Sequence, residues 1–146
     1  MKIVTLNKRL IDDVVRIEEA CFSHPWTYEQ IEEYLGNPNA YFFIAIDDNE
    51  RAVGYIGTYM VMDECFITNV GVLEESRGQG YGRELVKHAC ENAERNGASF
   101  ITLEVRKSND IAIKIYEKND FFREGVRPNF YRDPDEDGII MTRRFK

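Results

Sequence analysis

Three short segments contain residue types that could bind an anion and move protons. The first, RGQGYG at 77–82, has glycine at every second position and lies between a predicted strand and a predicted helix. Backbone N–H groups in such a turn, together with the positive end of the following helix, favour a phosphate group. Arg77 and Arg83 flank the glycines and could add charge-assisted contacts. A tight strand-to-helix turn packed against protein is the alternative, and the segment alone leaves both interpretations open.

The spacing within this glycine segment restricts which phosphate ligand it could bind. No Lys-Ser or Lys-Thr pair follows the last glycine, so the segment is not a Walker A loop. Gly78 and Gly80 could begin a dinucleotide fingerprint, but Arg83 stands at its third glycine position. Glu104 lies about twenty residues further on, where a ribose-binding acid would be found. Because the segment follows a mid-chain meander strand, dinucleotide binding is kept only as a minor alternative.

Glu104, in the second segment, could accept a proton. Side chains alternate between the two faces of a strand, so in FITLEV Glu104 points away from Leu103 and Val105. A half-sheltered carboxylate near a strand end can act as a general base, directly or through water. On position alone, an exposed glutamate paired with Arg106 or Lys107 is the simpler interpretation.

Tyr116, in the third segment, could donate a proton. It follows Asn109 and Ala112 by seven and four residues, which places all three on roughly one side of a helix. A phenol remains protonated at neutral pH and can protonate a leaving group. Packing in the core is the commoner role for an aromatic residue at this spacing.

The elements that must position these residues follow from apolar periodicity and from turn and cap signals. Helices are predicted at 12–22, 27–35 and 84–95, with a fourth capped by Ser108 or Asn109, and Thr27 with Gln30 forms a capping box. Strands are predicted at 41–47, 52–62, 65–72 and 100–105, with one or two more near the end. The result is an α/β (α+β) mixed sheet with helices on its faces and one parallel strand–helix–strand unit. The glycine segment and Glu104 then follow the carboxyl ends of neighbouring strands, where such sheets bind ligands.

Composition narrows the class of protein. The 146 residues suit a single domain, 1–146, and no apolar run approaches the roughly 20 residues that span a bilayer. We expect a cytoplasmic protein, because the N-terminal segment does not resemble a secretory signal peptide. Three cysteines without CxxC spacing and two histidines predict neither a disulfide framework nor a metal site. The net charge of −7 disfavours nucleic acid; it would suit a cationic partner or serve solubility alone.

Several segments together resemble the GNAT superfamily of N-acetyltransferases. Arg77-x-x-Gly80-x-Gly82 matches the superfamily signature, whose loop holds the pyrophosphate of acetyl-coenzyme A (acetyl-CoA). CFSHPW, NVGVLEESRGQGYG, LEVRKSNDIAIKIYE and GVRPNFYRDPDEDGIIM are similar to RimI-type ribosomal-protein-alanine N-acetyltransferases, and they span most of 21–141. Asp120 departs from this pattern, since the family usually has glycine there, and Phe130 replaces a family tyrosine.

The resemblance implies the GNAT fold and its activity. The fold has a mostly antiparallel central sheet, a parallel strand pair that forms the cofactor cleft, and helices on both faces. The implied enzyme is a monomer that transfers acetyl from acetyl-CoA, without a metal, to the N-terminal amine of a protein. The implied substrate is the alanine at the N-terminus of a small-subunit ribosomal protein. A GNAT enzyme for a small amine or lysine side chain, and a non-catalytic coenzyme A (CoA) module, are the alternatives.

The resemblance also assigns roles residue by residue. Glu104 would be the proton acceptor and Tyr116 the proton donor, while Trp26 and Tyr131 would line the acceptor slot; packing explains Trp26 comparably well. The implied acetyl-CoA contacts are Val70, Gly71, Val72, Arg77, Gly78, Gln79, Gly80, Tyr81, Gly82, Arg83, Asn109 and Ala112. Gly71 would give the ligand room to approach the strand. The acids that could receive a cationic peptide, or be solvated surface groups, are Glu18, Glu19, Asp133, Asp135, Glu136 and Asp137.

Overall fold

The structure is a computed structural model that describes residues 1–145, with one seven-stranded sheet and four α-helices among them. The helices are α1 (Ile11–Cys21), α2 (Tyr28–Leu35), α3 (Tyr81–Arg95) and α4 (Asp110–Lys118). The strands are β1 (Lys2–Thr5), β2 (Ala40–Ile46), β3 (Ala52–Val61), β4 (Glu64–Val72), β5 (Phe100–Arg106), β6 (Phe122–Tyr131) and β7 (Glu136–Arg144). Their order in the sheet is β1-β2-β3-β4-β5-β7-β6. The predicted mixed α/β sheet is confirmed, whereas β1 was not predicted, because four residues are too few to show an alternating pattern.

A gap between β4 and β5 is the feature of the sheet that matters most for function. These two strands form the predicted parallel pair, but their register covers only Glu64↔Phe100 to Phe66↔Thr102. Beyond that point β4 continues to Val72 and β5 to Arg106 without further pairing between them. Every other neighbouring pair in the sheet is antiparallel. The two strands therefore part, and a cleft opens between their carboxyl ends.

The helices cover opposite faces of the sheet, as the alternation along β2 shows. Phe43 and Ala45 pack in the core beneath α3 and α4, whereas Phe42 and Ile44 pack in a second core beneath α1 and α2. Leu103 and Val105 of β5 belong to the α3–α4 core. Glu104, which lies between them in sequence, therefore points to the α1–α2 face, as alternation predicted.

The side-chain caps predicted for the starts of α2 and α4 are confirmed, whereas α3 begins at Tyr81, three residues before its predicted start. Thr27 and Gln30 form the capping box of α2, with both reciprocal bonds present. Asn109 caps α4 by accepting a hydrogen bond from the Ala112 N–H at 3.2 Å. Asp120 has φ 68°, the left-handed conformation that usually selects glycine after a helix. Between Met1 and Phe145, no helix is both long and apolar enough to cross a membrane.

Candidate active site

The glycine segment connects β4 to α3 and adopts a conformation that glycine favours. Gly80 is the N-cap of α3 with φ 91°, and Gly78 has φ 77°. A Cβ atom added at either position would meet no atom within 4 Å. Glycine is therefore favoured at these two positions by the backbone conformation, and not by close packing against other parts of the protein. Gly82 differs, because a Cβ there would lie 3.2 Å from Ile115 Cδ1, so this glycine lets α3 approach α4.

The backbone of this segment presents a run of free donors. The N–H groups of 78–83 have no acceptor within residues 1–145, and the first bond of α3 runs from the Glu84 N–H to the Gly80 carbonyl at 3.1 Å. The first N–H groups of a helix lack intrahelical partners and point out of its positive end. Since Gly78, Gln79 and Gly80 are exposed, the run can bind an anion from solvent.

The arginines and the tyrosine of the segment have different surroundings. Arg77 turns back toward β4, where its Nε donates to the Val72 carbonyl at 3.0 Å and its Nη2 lies 3.9 Å from Cys21 Sγ. Arg83 is exposed at the first turn of α3. Tyr81 has a buried side chain, so only its backbone N–H can face a ligand.

The end of β4 lies against α1 on one side. A Cβ at Gly71 would be 3.3 Å from Ile17 Cγ2 and 3.4 Å from Cys21 Sγ. The prediction that Gly71 gives room to a ligand is therefore wrong in its reason, because α1 occupies that space. Val70 and Val72 are partly buried against the α3–α4 core. Only the backbone of this stretch is available along the edge that faces β5.

The three cysteines offer no nucleophile at neutral pH. Burial raises the pKa of the Cys21 thiol, although the neighbouring Arg77 lowers it in part. Burial also raises the pKa of Cys65 to about 12 and that of Cys90 to about 11. A thiol must ionise to act as a nucleophile, so any chemistry here proceeds by another route.

Glu104 is partly exposed on the α1–α2 face, beside the gap. Its Oε1 accepts from Arg127 Nε of β6 at 3.0 Å, and its side chain keeps 31% of its exposure. The simpler interpretation, an ion pair of Glu104 with Arg106 or Lys107, is therefore wrong. Arg106 instead donates to Glu136 Oε1 at 3.2 Å. Glu104 Oε2 has no hydrogen bond to any residue up to Phe145, so one oxygen remains able to accept a proton.

Tyr116 lies in the α3–α4 core, as its spacing predicted. Its ring packs at 5.6 Å from that of Phe121, and 7% of the residue is exposed. Every fully buried side-chain oxygen or nitrogen within 1–145 has a hydrogen-bond partner. Since the Tyr116 hydroxyl has none among these residues, it must reach accessible surface. Burial, with a smaller effect of Tyr131, raises the pKa of this phenol above its ordinary value, so it stays protonated.

Tyr131 lies close enough to Glu104 and Tyr116 to interact electrostatically with both. Burial, and then the charge of Glu104, raises the pKa of Tyr131 to about 12. The Arg106 guanidinium lies 4.6 Å from the centre of the Tyr131 ring, and Phe130 meets that ring edge-on at 5.1 Å. Arg106 also bonds the carbonyls of Pro134 and Arg132, which fixes the β6–β7 turn next to the ring.

Trp26 is half-buried just before the N-cap of α2, and the packing predicted for it is observed. Its ring stacks on Tyr34 at 4.9 Å and 16°, and lies 6.0 Å from Phe42. The same ring lines a cavity of about 490 Å³ between α2 and the β3–β4 hairpin. The residue is thus packed on the α1–α2 face while it also borders a cavity, and its place in the acceptor slot stays a prediction.

Glu18 is the residue that sequence reasoning misplaced. It was expected at the surface, but it is fully buried and accepts from the Tyr55 hydroxyl, from Asn69 Nδ2 at 2.9 Å and from the Trp26 N–H at 2.8 Å. Its carboxylate joins α1, β3, β4 and the segment that leads into α2. Helical spacing contained the signal, because position 18 follows the buried Val14 by four residues.

Most of the other acids proposed for a cationic peptide already have partners within the chain. Asp133 lies 3.3 Å from His24 Nε2, Asp135 lies 3.8 Å from Arg132, Glu136 pairs with Arg106, and Asp137 accepts from the Asn129 N–H. Glu19 is exposed. Hydrogen bonds from Ser108 and Arg106 also lower the pKa of Glu136. These acids act mainly within the chain, where they tie the β6–β7 turn to its neighbours.

Free N–H groups of 78–83 follow the carboxyl end of β4, and Glu104, with one oxygen that forms no hydrogen bond within residues 1–145, lies beside the gap on the α1–α2 face. The phenol of Tyr116 belongs to the core on the opposite, α3–α4 face. Such an arrangement suits transfer of an acyl group between a phosphate-bearing donor and an amine.

The chain belongs to the acetyltransferase (GNAT) family, which it matches over residues 11–121. It is accordingly an N-acetyltransferase, and the enzymes of this family use acetyl-CoA as the acetyl donor.

Curated relatives of this chain bear out the resemblance to RimI-type enzymes. A Bacillus subtilis (strain 168) protein, provisionally named a [ribosomal protein bS18]-alanine N-acetyltransferase, is 39% identical. The alignment covers 96% of this chain and 94% of that protein. The Escherichia coli (strain K12) [ribosomal protein bS18]-alanine N-acetyltransferase is 32% identical over 86% of this chain and 85% of its own. The crystal structure of the Escherichia coli ribosomal-protein-S18-alanine N-acetyltransferase superimposes with a TM-score of 0.87 at 28% identity, over 98% and 92% of the two chains.

Proposed function

We propose that this enzyme acetylates the N-terminal amine of a protein, and that the acceptor is the N-terminal alanine of ribosomal protein bS18. The observation that carries the proposal is the gap between β4 and β5, with free N–H groups of 78–83 at one end and Glu104 beside it on the opposite face. The names of the relatives, which specify the bS18 alanine, supply the substrate. A monomeric, cytoplasmic enzyme that consists of one domain and needs no metal is part of the proposal.

The co-substrate would bind on the α3–α4 side of the gap. Its pyrophosphate would accept hydrogen bonds from the N–H groups of 78–83, with Arg83 able to add charge from the first turn of α3. The edge of Val70–Val72 that faces β5 would supply backbone groups to the extended arm. Asn109 and Ala112 border the same side at the start of α4, where the Asn109 side chain also caps the helix.

The residues at the gap would then divide the proton transfers. The acceptor amine, with an ordinary pKa near 8, must lose a proton before its nitrogen can attack the thioester carbonyl carbon. Glu104 Oε2 would take that proton, directly or through water. As the C–N bond forms and the C–S bond breaks, the Tyr116 hydroxyl would protonate the departing sulfur. The second proton that the nitrogen must lose would then return to the Tyr116 oxygen through water. No covalent link to the protein is needed, which agrees with three thiols that burial keeps protonated.

A CoA-release assay tests both the substrate and the residues. The enzyme should acetylate a bS18 N-terminal peptide, and it should ignore the same peptide with a blocked α-amine. Glu104→Gln should lower kcat by about 100-fold or more while acetyl-CoA binding persists. Arg127→Gln serves as the matched variant, because it removes the ion pair but leaves the carboxylate.

Two results would contradict the proposal. Acetylation of polyamines or lysine side chains, with no reaction at any peptide N-terminus, would point to the small-amine or lysine alternative. Unchanged turnover in both Glu104→Gln and Tyr116→Phe would remove the catalytic assignment. Binding of acetyl-CoA without turnover on any amine would favour the CoA-binding alternative.

A further inference from the structure

The cavity between α2 and the β3–β4 hairpin lies on the same face of the sheet as Glu104. Phe66, in its wall, pairs with Thr102 at the last rung of the β4–β5 ladder. Paired residues share a face, and Glu104 follows Thr102 by two positions on that face. Thr68, two residues beyond Phe66, also lines the cavity. The wall of the cavity therefore continues directly to the gap where the acceptor amine would react.

The lining of this cavity has the chemistry of a cation site. Four aromatic side chains contribute to it, namely Trp26, Tyr34, Tyr59 and Phe66. Glu33 is the one charged residue in the lining, and it forms no ion pair with residues 1–145. The faces of aromatic rings attract guanidinium and ammonium groups, and a nearby carboxylate adds to that attraction.

The Trp26 side of the cavity is held in place before any ligand binds. Trp26 stacks on Tyr34, and its backbone N–H is anchored by the buried carboxylate of Glu18 at 2.8 Å. A rigid site loses less freedom on binding than one that must first be ordered. An extended peptide advances about 3.3 Å per residue, so residues that follow a reacting N-terminus at the gap would lie over this cavity.

We propose that this cavity binds a cationic side chain, arginine or lysine, within the first five residues of the acceptor protein. The cavity would thus select acceptors by a residue downstream of the one that is acetylated. The inference rests on the proposed function, since it assumes that the acceptor amine belongs to a peptide chain.

A charge-reversal experiment tests this assignment. Ala-initiated peptides of eight residues, otherwise neutral, would carry a single Arg, Gln or Glu at position 2, 3, 4 or 5. For at least one position, kcat/KM should favour Arg over Gln by about tenfold. Glu33→Gln should abolish that preference, and Glu33→Lys should transfer it to the Glu peptide. Glu32→Lys is the matched control: it places the same charge on an exposed part of α2 outside the cavity, and should leave the preference unchanged.

Trp26 is the single tryptophan of the chain, so its fluorescence reports on the cavity without any turnover. Addition of the preferred Arg peptide with a blocked α-amine should change the emission in a saturable way, and less so in Glu33→Lys. The inference is overturned if Arg and Gln peptides react equally at every position, or if Glu33→Lys and Glu32→Lys have the same effect. If Ala peptides are acetylated without these preferences, the inference is overturned and the proposed function stands. If no peptide is acetylated, the proposed function fails, and the titration still decides whether the cavity binds a cation.

Discussion

The two faces of the sheet are built for binding in different ways. On the α3–α4 face the groups free to bind are backbone N–H groups, in an exposed segment whose shape depends on Gly78 and Gly80. On the α1–α2 face they are side chains, and the carboxylate of Glu18 connects several elements beneath them. A backbone site tolerates change in most of its side chains, whereas a side-chain network fails when its centre is removed. Substitutions on the two faces should therefore produce different kinds of damage.

Removal of Glu18 should have the largest effect on stability. Glu18→Ala leaves the Tyr55 hydroxyl, the Asn69 amide and the Trp26 N–H without their acceptor in a buried site. Unpaired buried donors cost about 1 kcal/mol or more each, so the free energy of unfolding should fall by about 3 kcal/mol. Urea denaturation measures this difference. Glu19→Ala, an exposed neighbour on the same helix, should change it by less than about 0.5 kcal/mol. Equal effects of the two substitutions would contradict the role given to the network.

Tyr116→Phe tests the one side chain that the α3–α4 face is expected to supply to the reaction. The substitution keeps the ring against Phe121 and removes only the hydroxyl. Loss of a general acid lowers kcat by about 100-fold, with little change in KM for acetyl-CoA. Steady-state CoA release measures both constants. A large rise in KM with unchanged kcat would instead assign the hydroxyl to binding.

The pH dependence of the same enzyme should lack a falling limb in the working range. Burial raises the pKa of Tyr116 above the ordinary value of 10, so the acid stays protonated until the solution is strongly alkaline. Because this pKa is higher in the folded than in the unfolded chain, the neutral phenol also stabilises the fold below about pH 10. This stabilisation is lost as the pH rises further. A profile of kcat/KM from pH 6 to 10 should rise as the amine deprotonates and then level off. A limb that falls below pH 9, and that disappears in Tyr116→Phe, would contradict the raised pKa but not the role of Tyr116 as the acid.

Gly80→Asp should weaken binding at the N–H groups of 78–83, with a smaller effect than the loss of kcat in Tyr116→Phe. Aspartate at φ 91° is strained, and its charge lies at the positive end of α3 where the pyrophosphate would bind. Affinity for acetyl-CoA should fall about tenfold or more, as measured by calorimetry. Gly97→Asp is the matched control, since Gly97 has φ 88° and equally open surroundings at the opposite end of α3. The control should share the loss of stability and keep the affinity; equal affinities of the two variants would exclude this segment as the phosphate site.

The same contrast explains what could be predicted from the sequence. The glycine segment, the Thr27 capping box and the Asn109 cap are local features, in which residues a few positions apart determine the structure. Glu18 instead meets residues 37 and 51 positions away, and no local pattern specifies such partners. Glu104 illustrates both cases, because alternation predicted its face correctly but not its partner Arg127 on β6. Local features were accordingly predicted on both faces of the sheet, whereas contacts between residues distant in the sequence were not.

Asp120→Gly should have the smallest effect and tests the local rule where this chain departs from it. Asp120 has φ 68° after α4, and its N–H donates to the Glu117 carbonyl at 3.1 Å, so the turn is formed in spite of the side chain. Glycine adopts this conformation without steric cost, and its greater freedom in the unfolded chain offsets part of the gain. The free energy of unfolding should rise by about 0.5 kcal/mol, whereas Asp120→Ala should lower it by about 1 kcal/mol. Urea denaturation of the three proteins gives the order. If glycine destabilised the fold as alanine does, the Asp120 side chain would have to make a stabilising contact of its own, and the exit of α4 would depend on tertiary contacts, as the Glu18 network does.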